Sequence, residues 1–165
     1  MTTEYFSSFP QIVYNGDLIT NLTIRLDFIT KIKNNISIFQ YIPVITGQKP
    51  EDIAYQYYGD ATLYWIILYM NDIIDPYYGW LLTDNQLYAY AVQKYTSIFD
   101  THHYETTAAS PLGAGVITDS YNTYRTAVTN LQYEQTQNEL KRNIKLLKGS
   151  YVAQVISEYR AELSQ

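Results

Sequence analysis

The sequence predicts an α+β fold built from a pair of short helices and short strands, with helical extensions at both ends and a hairpin-like insertion. Three observations support this fold class. Residues 50–80 carry two helical patterns that are broken at Gly59, residues 36–46 are rich in β-branched and aromatic side chains, and further helical patterns lie on both sides. A chain of 165 residues is also long enough to bury a hydrophobic core.

The two helices of residues 50–80 have clear local signals for their ends. Pro50 suits the first position of a helix, where its missing N–H would be unpaired anyway, and Gly59 can end that helix in a left-handed conformation. The second helix ends at Asn71-Asp72, before the extended turn that Asp75-Pro76 forces. Because isolated helices this short are marginal in water, we expect the apolar stripe of the second helix to be buried. This stripe consists of Leu63, Ile66, Ile67 and Met70.

An N-terminal extension, residues 1–35, combines a turn signal at Asn15-Gly16 with a helical pattern of apolar residues. The pattern contains Leu22, Leu26, Ile29, Ile32 and Ile36. Residues 36–46 favour an extended strand, and Pro43 places it at a sheet edge because proline lacks an N–H donor. Residues 36–97 form one predicted module, which ends in a helix that starts with a capping box formed by Thr83 and Gln86.

The chain after residue 97 is predicted to form an excursion and then a C-terminal helical arm. Residues 98–120 indicate a hairpin-like excursion around an obvious loop at 109–115. The arm comprises residues 121–165. In it, Asn130 can cap a helix that runs to about Arg142, and residues 144–147 either form a short strand or continue that helix. Gly149 marks a break before the last helix. The last helix carries an apolar face, which we expect to dock on a neighbouring protein; docking on the chain's own body is the alternative. This face consists of Val152, Val155, Ile156, Tyr159 and Leu163.

The order of helix, glycine turn, helix, Asn-Asp and turn is similar to that of a LysM domain, a small βααβ unit in which a helix pair packs on a two-stranded sheet. The chain resembles more closely the small LysM-like baseplate wedge protein family of T-even-like contractile-tailed bacteriophages. The residues that carry this resemblance are Tyr64-Trp65, Asn71-Asp72 and the run Asp75-Pro-Tyr-Tyr-Gly-Trp80. The resemblance continues through residues 9–14 and 138–148 and is weakest over about 101–120. A helix is predicted where a LysM domain would have its second strand, so we expect the partner of the first strand elsewhere in the chain.

The resemblance implies a structural component of the tail baseplate in the virion, made in the host cytoplasm. Its implied partners are other baseplate wedge proteins and sheath-initiator-type and hub-proximal tail proteins, in repeated copies around a sixfold baseplate. It would help to join adjacent wedges around the central hub. The residues expected to contact other proteins are Tyr64, Trp65, Asp75, Pro76, Tyr77, Tyr78, Trp80, Val152, Val155, Ile156 and Tyr159.

An alternative function is glycan binding, which is the function of secreted LysM domains. In that case Tyr77, Tyr78 and Trp80 would stack on the N-acetylglucosamine rings of peptidoglycan. The first residues show no basic region followed by an apolar one, so export is not expected. The single module and its long flanks also weigh against this alternative.

Composition excludes several classes of function. The net charge of −5 does not predict nucleic-acid binding, and the lack of cysteine excludes disulfides, thiolate catalysis and cysteine-bound zinc. No run of 18 apolar residues occurs, so a membrane span is not expected. The 19 tyrosines favour protein interfaces, although tyrosines also fill the edges of cores.

No group of residues predicts an enzyme, a metal site or a cofactor site. His102 and His103 are adjacent, and in an extended segment they would point to opposite faces, which is poor geometry for one metal ion. Asp72 and Asp75 have local reasons to exist at a helix end and a turn. Gly113 and Gly115 lack the sequence context of a phosphate loop, and no serine lies in a Gly-x-Ser-x-Gly motif.

Overall fold

The computed structural model of the chain describes residues 9–21 and 36–163, and it has the mixed α and β composition that an α+β fold requires. The strands in these residues are β1 (Gln11–Tyr14), β2 (Asp17–Thr20), β3 (Phe39–Pro43), β4 (Thr101–Thr106), β5 (Ile117–Thr118), β6 (Arg125–Thr129) and β7 (Asn143–Leu147). The helices are α1 (Pro50–Tyr58), α2 (Tyr64–Met70), α3 (Asp84–Lys94), α4 (Asn130–Leu140) and α5 (Val152–Leu163). The predicted helix that begins at Leu22 lies outside the described residues up to residue 35.

The chain divides into two compact units. Unit 1 contains residues 1–80 and 143–165, and unit 2 contains residues 81–142. Unit 2 is therefore inserted, in sequence, between two parts of unit 1. The boundaries of the two units, after residues 80 and 142, differ from those of the four expected segments, which end at residues 35, 97 and 120. Among the described residues, no helix is both long enough and apolar enough to cross a membrane.

The first element that the structure describes in unit 1 is a hairpin of β1 and β2, which pair antiparallel. Asn15 and Gly16 form its turn with φ angles of 52° and 91°. Two successive positive φ angles match the right-handed twist of the strands, and Asn-Gly is the pair that adopts them most readily. The turn predicted at Asn15-Gly16 is therefore confirmed.

A second two-stranded sheet forms the centre of unit 1. Strand β3 pairs antiparallel with β7, with Phe39 opposite Leu147 and Ile42 opposite Ile144. The expectation that the partner of the first strand lies elsewhere in the chain is confirmed, since β7 follows β3 by about 100 residues. Pro43 stands at the end of β3, where the missing N–H interrupts little of the pairing.

The helix pair packs into the core of unit 1 as predicted. Helix α1 ends at Gly59, whose φ of 75° is left-handed and whose N–H donates to Tyr55 O at 3.0 Å. A short 3₁₀ turn at Ala61–Leu63 leads into α2. All four residues of the predicted stripe are buried, with exposed fractions of 5% or less: Leu63, Ile66, Ile67 and Met70.

The C-terminal end of α2 is fixed to β7 by one side chain. Asn71 donates from Nδ2 to Lys145 O at 2.8 Å, and its Oδ1 accepts from Lys145 N–H at 2.8 Å. The next residue, Asp72, has a left-handed φ of 56°, and Ile73 N–H donates back to Leu68 O at 2.9 Å. This hydrogen-bond pattern ends the helix in the manner of a Schellman motif, with aspartate in place of glycine.

The prediction that the apolar face of the last helix docks outside the chain is wrong for the residues that form its centre. Val152, Val155 and Tyr159 are buried in the core of unit 1, and Ile156 and Leu163 pack against that core. The Tyr159 ring lies 4.8 Å from the Trp65 ring, measured between centroids. The face is covered because β7 returns the chain to β3, which brings α5 beside the helix pair.

Unit 2 contains α3, α4 and a three-stranded antiparallel sheet in the order β5-β4-β6. The predicted hairpin-like excursion is present as β4 and β5, but β6 adds a third strand on the other side of β4. The predicted capping box of α3 is confirmed, since the N–H of Thr83 donates to Gln86 Oε1 at 3.0 Å. The N-cap of α4 is Thr129 and not Asn130. Asn130 instead donates from Nδ2 to Ser97 O at 2.8 Å.

The expectation that the two histidines point to opposite faces of an extended segment is wrong for β4. Thr101 pairs with Thr129 and His103 with Val128, so His102 is an extra residue in β4. Such a β-bulge interrupts the regular alternation of side chains. As a result, His102 Nδ1 and His103 Nδ1 lie 2.9 Å apart.

Two polar side chains of α4 are buried in unit 2. Glu134 accepts from Lys94 Nζ at 2.8 Å and from Tyr95 Oη at 2.7 Å. Burial raises the pKa of the Glu134 carboxyl group, but the two hydrogen bonds and the charges of Lys94 and Lys141 together outweigh it, so the pKa lies below its ordinary value. Asn138 accepts from Leu82 N–H and donates to Leu82 O, both at 2.9 Å.

We expect Tyr159→Ala to lower the free energy of unfolding by about 3–5 kcal/mol, because it empties the space beside Trp65. A urea titration followed by tryptophan fluorescence measures this loss. Arg160→Ala is the matched control, because Arg160 is exposed on the same helix and should change stability little. Equal stability of the two variants would restore the view that α5 is an assembly arm.

We expect Glu134→Gln to lower the stability of unit 2 by about 1–3 kcal/mol at pH 7, because two hydrogen bonds lose their charge assistance. The folded-state pKa of Glu134 is lowered, so its stabilising effect is present above its ordinary pKa of 4.5 and is lost as the pH falls through the folded-state pKa. Urea titrations between pH 7 and pH 3 should show a difference from the wild-type chain that is large at pH 7 and shrinks as the pH falls below 4.5.

Glu139→Gln is the control for this charge effect. Glu139 lies on the same helix and pairs with Arg142 at the exposed surface, so its loss should matter much less. A difference between wild type and Glu134→Gln that does not shrink at pH 3 would contradict the proposed role of the charge.

Candidate protein-interaction surface

Residues 71–80 of unit 1 form a turn that is held at both of its ends. At the start, Asn71 is bonded to the backbone of Lys145. At the end, the Trp80 side chain is 7% exposed, and its Nε1 donates to Gln48 O at 2.8 Å. We call residues 74–78, which lie between these two anchors, the aromatic turn.

The backbone of the aromatic turn is fixed by Asp75. Its Oδ1 accepts from Tyr77 N–H at 2.9 Å and from Tyr78 N–H at 3.4 Å, which are the local bonds that aspartate forms in turns. Gly79 N–H donates to Asp75 O at 2.7 Å. This backbone hydrogen bond closes the turn.

Gly79 is required at its position by close packing. A Cβ atom there would lie 2.5 Å from Asp75 O and 2.8 Å from Ile73 Cγ2. The first of these atoms belongs to the backbone, which cannot move aside without changing the turn. Three of the six residues from Asp75 to Trp80 are thus explained, by hydrogen bonding at Asp75, close approach at Gly79 and burial at Trp80.

The side chains of the aromatic turn point into solvent. Ile74 is 97% exposed, Tyr77 82% and Tyr78 47%. Pro76 is exposed as well. Because the backbone is anchored while these apolar groups are open to water, the turn presents a small rigid surface, and such a surface loses little conformational freedom when it binds.

The residues expected to contact other proteins fall into two groups. Pro76, Tyr77 and Tyr78 are exposed, together with Asp75, and they lie in one turn. The others are buried or half-buried in unit 1: Tyr64, Trp65, Trp80, Val152, Val155, Ile156 and Tyr159. The sequence interpretation missed Ile74, whose exposure no helical or strand pattern signals.

The same geometry separates the three rings that the glycan alternative requires. Tyr77 and Tyr78 are exposed, but Trp80 is buried and bonded to Gln48 O. The three rings therefore do not form one stacking platform for a sugar chain.

The described residues thus combine a mixed α and β fold with an exposed aromatic turn that is anchored at both ends. The profile of the Base plate wedge protein 53 family matches residues 3–162. The chain belongs to this family, and its location is the tail baseplate of the virion. It is also similar to baseplate wedge protein gp53 of Enterobacteria phage T4, with 42% identity over 50 residues. That match covers 30% of this chain and 26% of the T4 protein, so it spans about a quarter of that relative.

We expect Gly79→Ala to lower the free energy of unfolding by about 1–3 kcal/mol, because the new methyl group must displace the backbone at Asp75. Gly149→Ala is the control, since a Cβ there meets Tyr57 O at 3.7 Å, an ordinary contact. Thermal unfolding of both variants measures the difference. If Gly79→Ala is as stable as Gly149→Ala, the close approach does not constrain the turn.

Proposed function

We propose that this chain is a structural component of the baseplate wedge that binds neighbouring baseplate proteins through its aromatic turn. In this role it helps to join adjacent wedges around the central hub. The observation that carries the proposal is the exposure of Ile74 and Tyr77 on a backbone that is anchored at both ends. The function is a binding function and needs no catalytic group.

The physical argument rests on what the aromatic turn exposes to water. Large apolar side chains at the surface of a protein are favourable to bury, and tyrosine adds a hydroxyl group that can form hydrogen bonds at the rim of an interface. Burying about 100 Å² of apolar surface contributes on the order of 2.5 kcal/mol. A partner that covers Ile74 and Tyr77 together gains this energy without ordering a flexible loop.

The chemistry of the turn also limits the kind of partner surface. Asp72 and Asp75 are exposed beside the aromatic side chains. A complementary surface therefore has an apolar pocket for a tyrosine ring, with lysine, arginine or backbone N–H groups around it. Other wedge proteins and the sheath-initiator-type and hub-proximal tail proteins are the proposed partners, in repeated copies around the sixfold baseplate.

The arrangement of unit 1 supports a LysM-like scaffold for this role. Its central elements follow the order β3, α1, α2 and β7, with the two strands paired antiparallel. This is the βααβ order of a LysM domain, with unit 2 inserted before the second strand. We infer that the scaffold serves to hold the aromatic turn, and that glycan binding is not its use here, because Trp80 is buried.

The proposal is tested with the double variant Tyr77→Ala and Tyr78→Ala. Neither ring is needed in the core, so the melting temperature of the free protein should remain nearly that of the wild-type chain. We expect incorporation of the variant into baseplates to fall at least tenfold. Incorporation is measured by complementing a phage that lacks this protein and by quantifying the chain in purified particles.

Tyr55→Ala is the matched control, since Tyr55 is 69% exposed but lies on α1, outside the aromatic turn. It should assemble at the wild-type level. Normal assembly of the double variant would remove the aromatic turn as an interface. Equal defects in the double variant and in Tyr55→Ala would also contradict the proposal, because the effect would then not depend on the turn.

A further inference from the structure

Strand β3 is paired on one side only. In the described part of unit 1 it lies beside β7, and no other strand adjoins it. The far edge of β7 is occupied, because the Asn71 side chain bonds to the N–H and the C=O of Lys145. Within the described residues, the sheet therefore has one open edge, on β3. Tyr41 lies in the middle of this strand and is 63% exposed.

The backbone groups of Tyr41 point away from β7. Antiparallel strands alternate between residue pairs that exchange hydrogen bonds and pairs that do not. Lys148 N–H donates to Ile38 O at 2.9 Å, so the pairs that bond are those at every second position from Ile38. Tyr41 stands opposite Lys145, in a pair of the other kind. Its N–H and C=O therefore face the open edge. The nitrogen of Pro43 faces the same edge, so proline costs the pairing of β3 with β7 no hydrogen bond.

We propose that the open edge of β3 receives an extended segment of a neighbouring baseplate protein as a third strand. The Tyr41 N–H donates to that segment and the Tyr41 C=O accepts from it, in the binding mode known as β-strand addition. An extended backbone matches the edge, because its own N–H and C=O groups repeat at the spacing of a strand. The inference rests on the proposed structural role in the baseplate, but it uses a different surface from the aromatic turn.

Charge complementarity favours an acidic segment. Tyr41 and Lys145 form a pair without mutual hydrogen bonds, and in such a pair the two side chains stand close together on one face of the sheet. The residue of the added strand that lies opposite Tyr41 projects from the same face. An aspartate or glutamate on that face of the added strand meets the positive charge of Lys145 across the exposed Tyr41 ring.

A second copy of this chain fits the edge less well. Two β3 strands paired antiparallel about Tyr41 would place each Pro43 opposite Phe39 of the other copy. Proline has no N–H to donate, so a hydrogen bond would be lost at both ends of the pairing instead of at one. Each copy also carries a net charge of −5, which opposes their association. The proposed partner is therefore a different protein.

Hydrogen exchange of the wild-type chain tests the edge directly. In the free chain, the Tyr41 amide should exchange within about tenfold of the rate of an unprotected amide, because it bonds only to water. In purified baseplates it should exchange at least about a hundredfold more slowly. Mass spectrometry of peptides that span residues 39–43 measures both states. Slow exchange in the free chain, or equal rates in the two states, overturns the proposal.

Cross-linking of purified baseplates identifies the occupant of the edge. A carbodiimide joins a lysine amine to a carboxylate that is in direct contact with it. Lys145 should become linked to an aspartate or glutamate of another protein, and the linked peptide is identified by mass spectrometry. If baseplates give no Lys145 link beyond those of the free chain, or a new link only to this chain's own sequence, the partner is not an acidic segment of a neighbour and the proposal fails.

Proline substitutions separate the open edge of β3 from its paired edge. Tyr41→Pro removes an N–H that points outward, so the free chain should melt near the temperature of Tyr41→Ala. Gln40→Pro removes an N–H that bonds to β7 and should melt well below both. Incorporation of Tyr41→Pro into baseplates should be about tenfold lower than that of Tyr41→Ala, which keeps the N–H.

Two outcomes of this series contradict the proposal. Equal incorporation of Tyr41→Pro and Tyr41→Ala would show that the outward N–H has no partner in the baseplate. Equal melting of Tyr41→Pro and Gln40→Pro would show that the Tyr41 N–H does not face the open edge. None of these variants changes the aromatic turn, so their failure is distinguishable from failure of the double variant Tyr77→Ala and Tyr78→Ala.

Discussion

The structure of unit 1 depends on the bonds between Asn71 and the backbone of Lys145. The Asn71 side-chain amide offers one donor and one acceptor, as a residue of a neighbouring strand does. It therefore pairs with the N–H and C=O of Lys145 in β7. The two residues are 74 positions apart, and closing a loop of that length costs about 4 kcal/mol in its length-dependent part. The pairing of β3 with β7 and the burial of α5 offset this cost. Without the pairing of β3 with β7, the helix pair would have no sheet to pack on.

The tyrosines of the chain serve two different purposes. Tyr159 is buried in the core of unit 1, and Tyr58 and Tyr69 pack against that core. Many others are at the surface with large exposed fractions: Tyr14, Tyr41, Tyr55, Tyr57, Tyr77, Tyr78, Tyr88, Tyr121 and Tyr124. The two interpretations of the tyrosine content, core edges and interfaces, therefore apply to different residues. Exposure alone does not define an interface, and the aromatic turn stands out because its backbone is also held.

Local signals predicted the local structure well. Proline, glycine and capping residues predicted both ends of α1 and the start of α3, and the apolar spacing predicted the buried stripe of α2. Pairing between distant strands has no such local signal, so the sequence could predict that β3 needs a partner but not that β7 supplies it. The burial of α5 follows from that pairing. This is why an apolar helix face at the end of the chain was misread as a docking arm.

The candidate sites show the same limit. The run that contains the aromatic turn was singled out by its resemblance to the wedge family, and the structure supplies the local roles of Gly79 and Trp80, whereas the exposure of Ile74 has no sequence signature. The two histidines were misplaced because the alternation rule assumes a regular strand. A β-bulge depends on how β4 and β6 pair, which only the folded unit reveals.

The hydrogen bonds between Leu82 and Asn138 bear on how unit 2 is inserted into the chain. They hold the entry and the exit of unit 2 together, since Leu82 lies at its start and Asn138 near its end. An insertion whose two ends meet adds little strain to the protein that receives it, whatever its length. Because its two ends are held together, unit 2 places little demand on the spacing of the chain segments on either side of it.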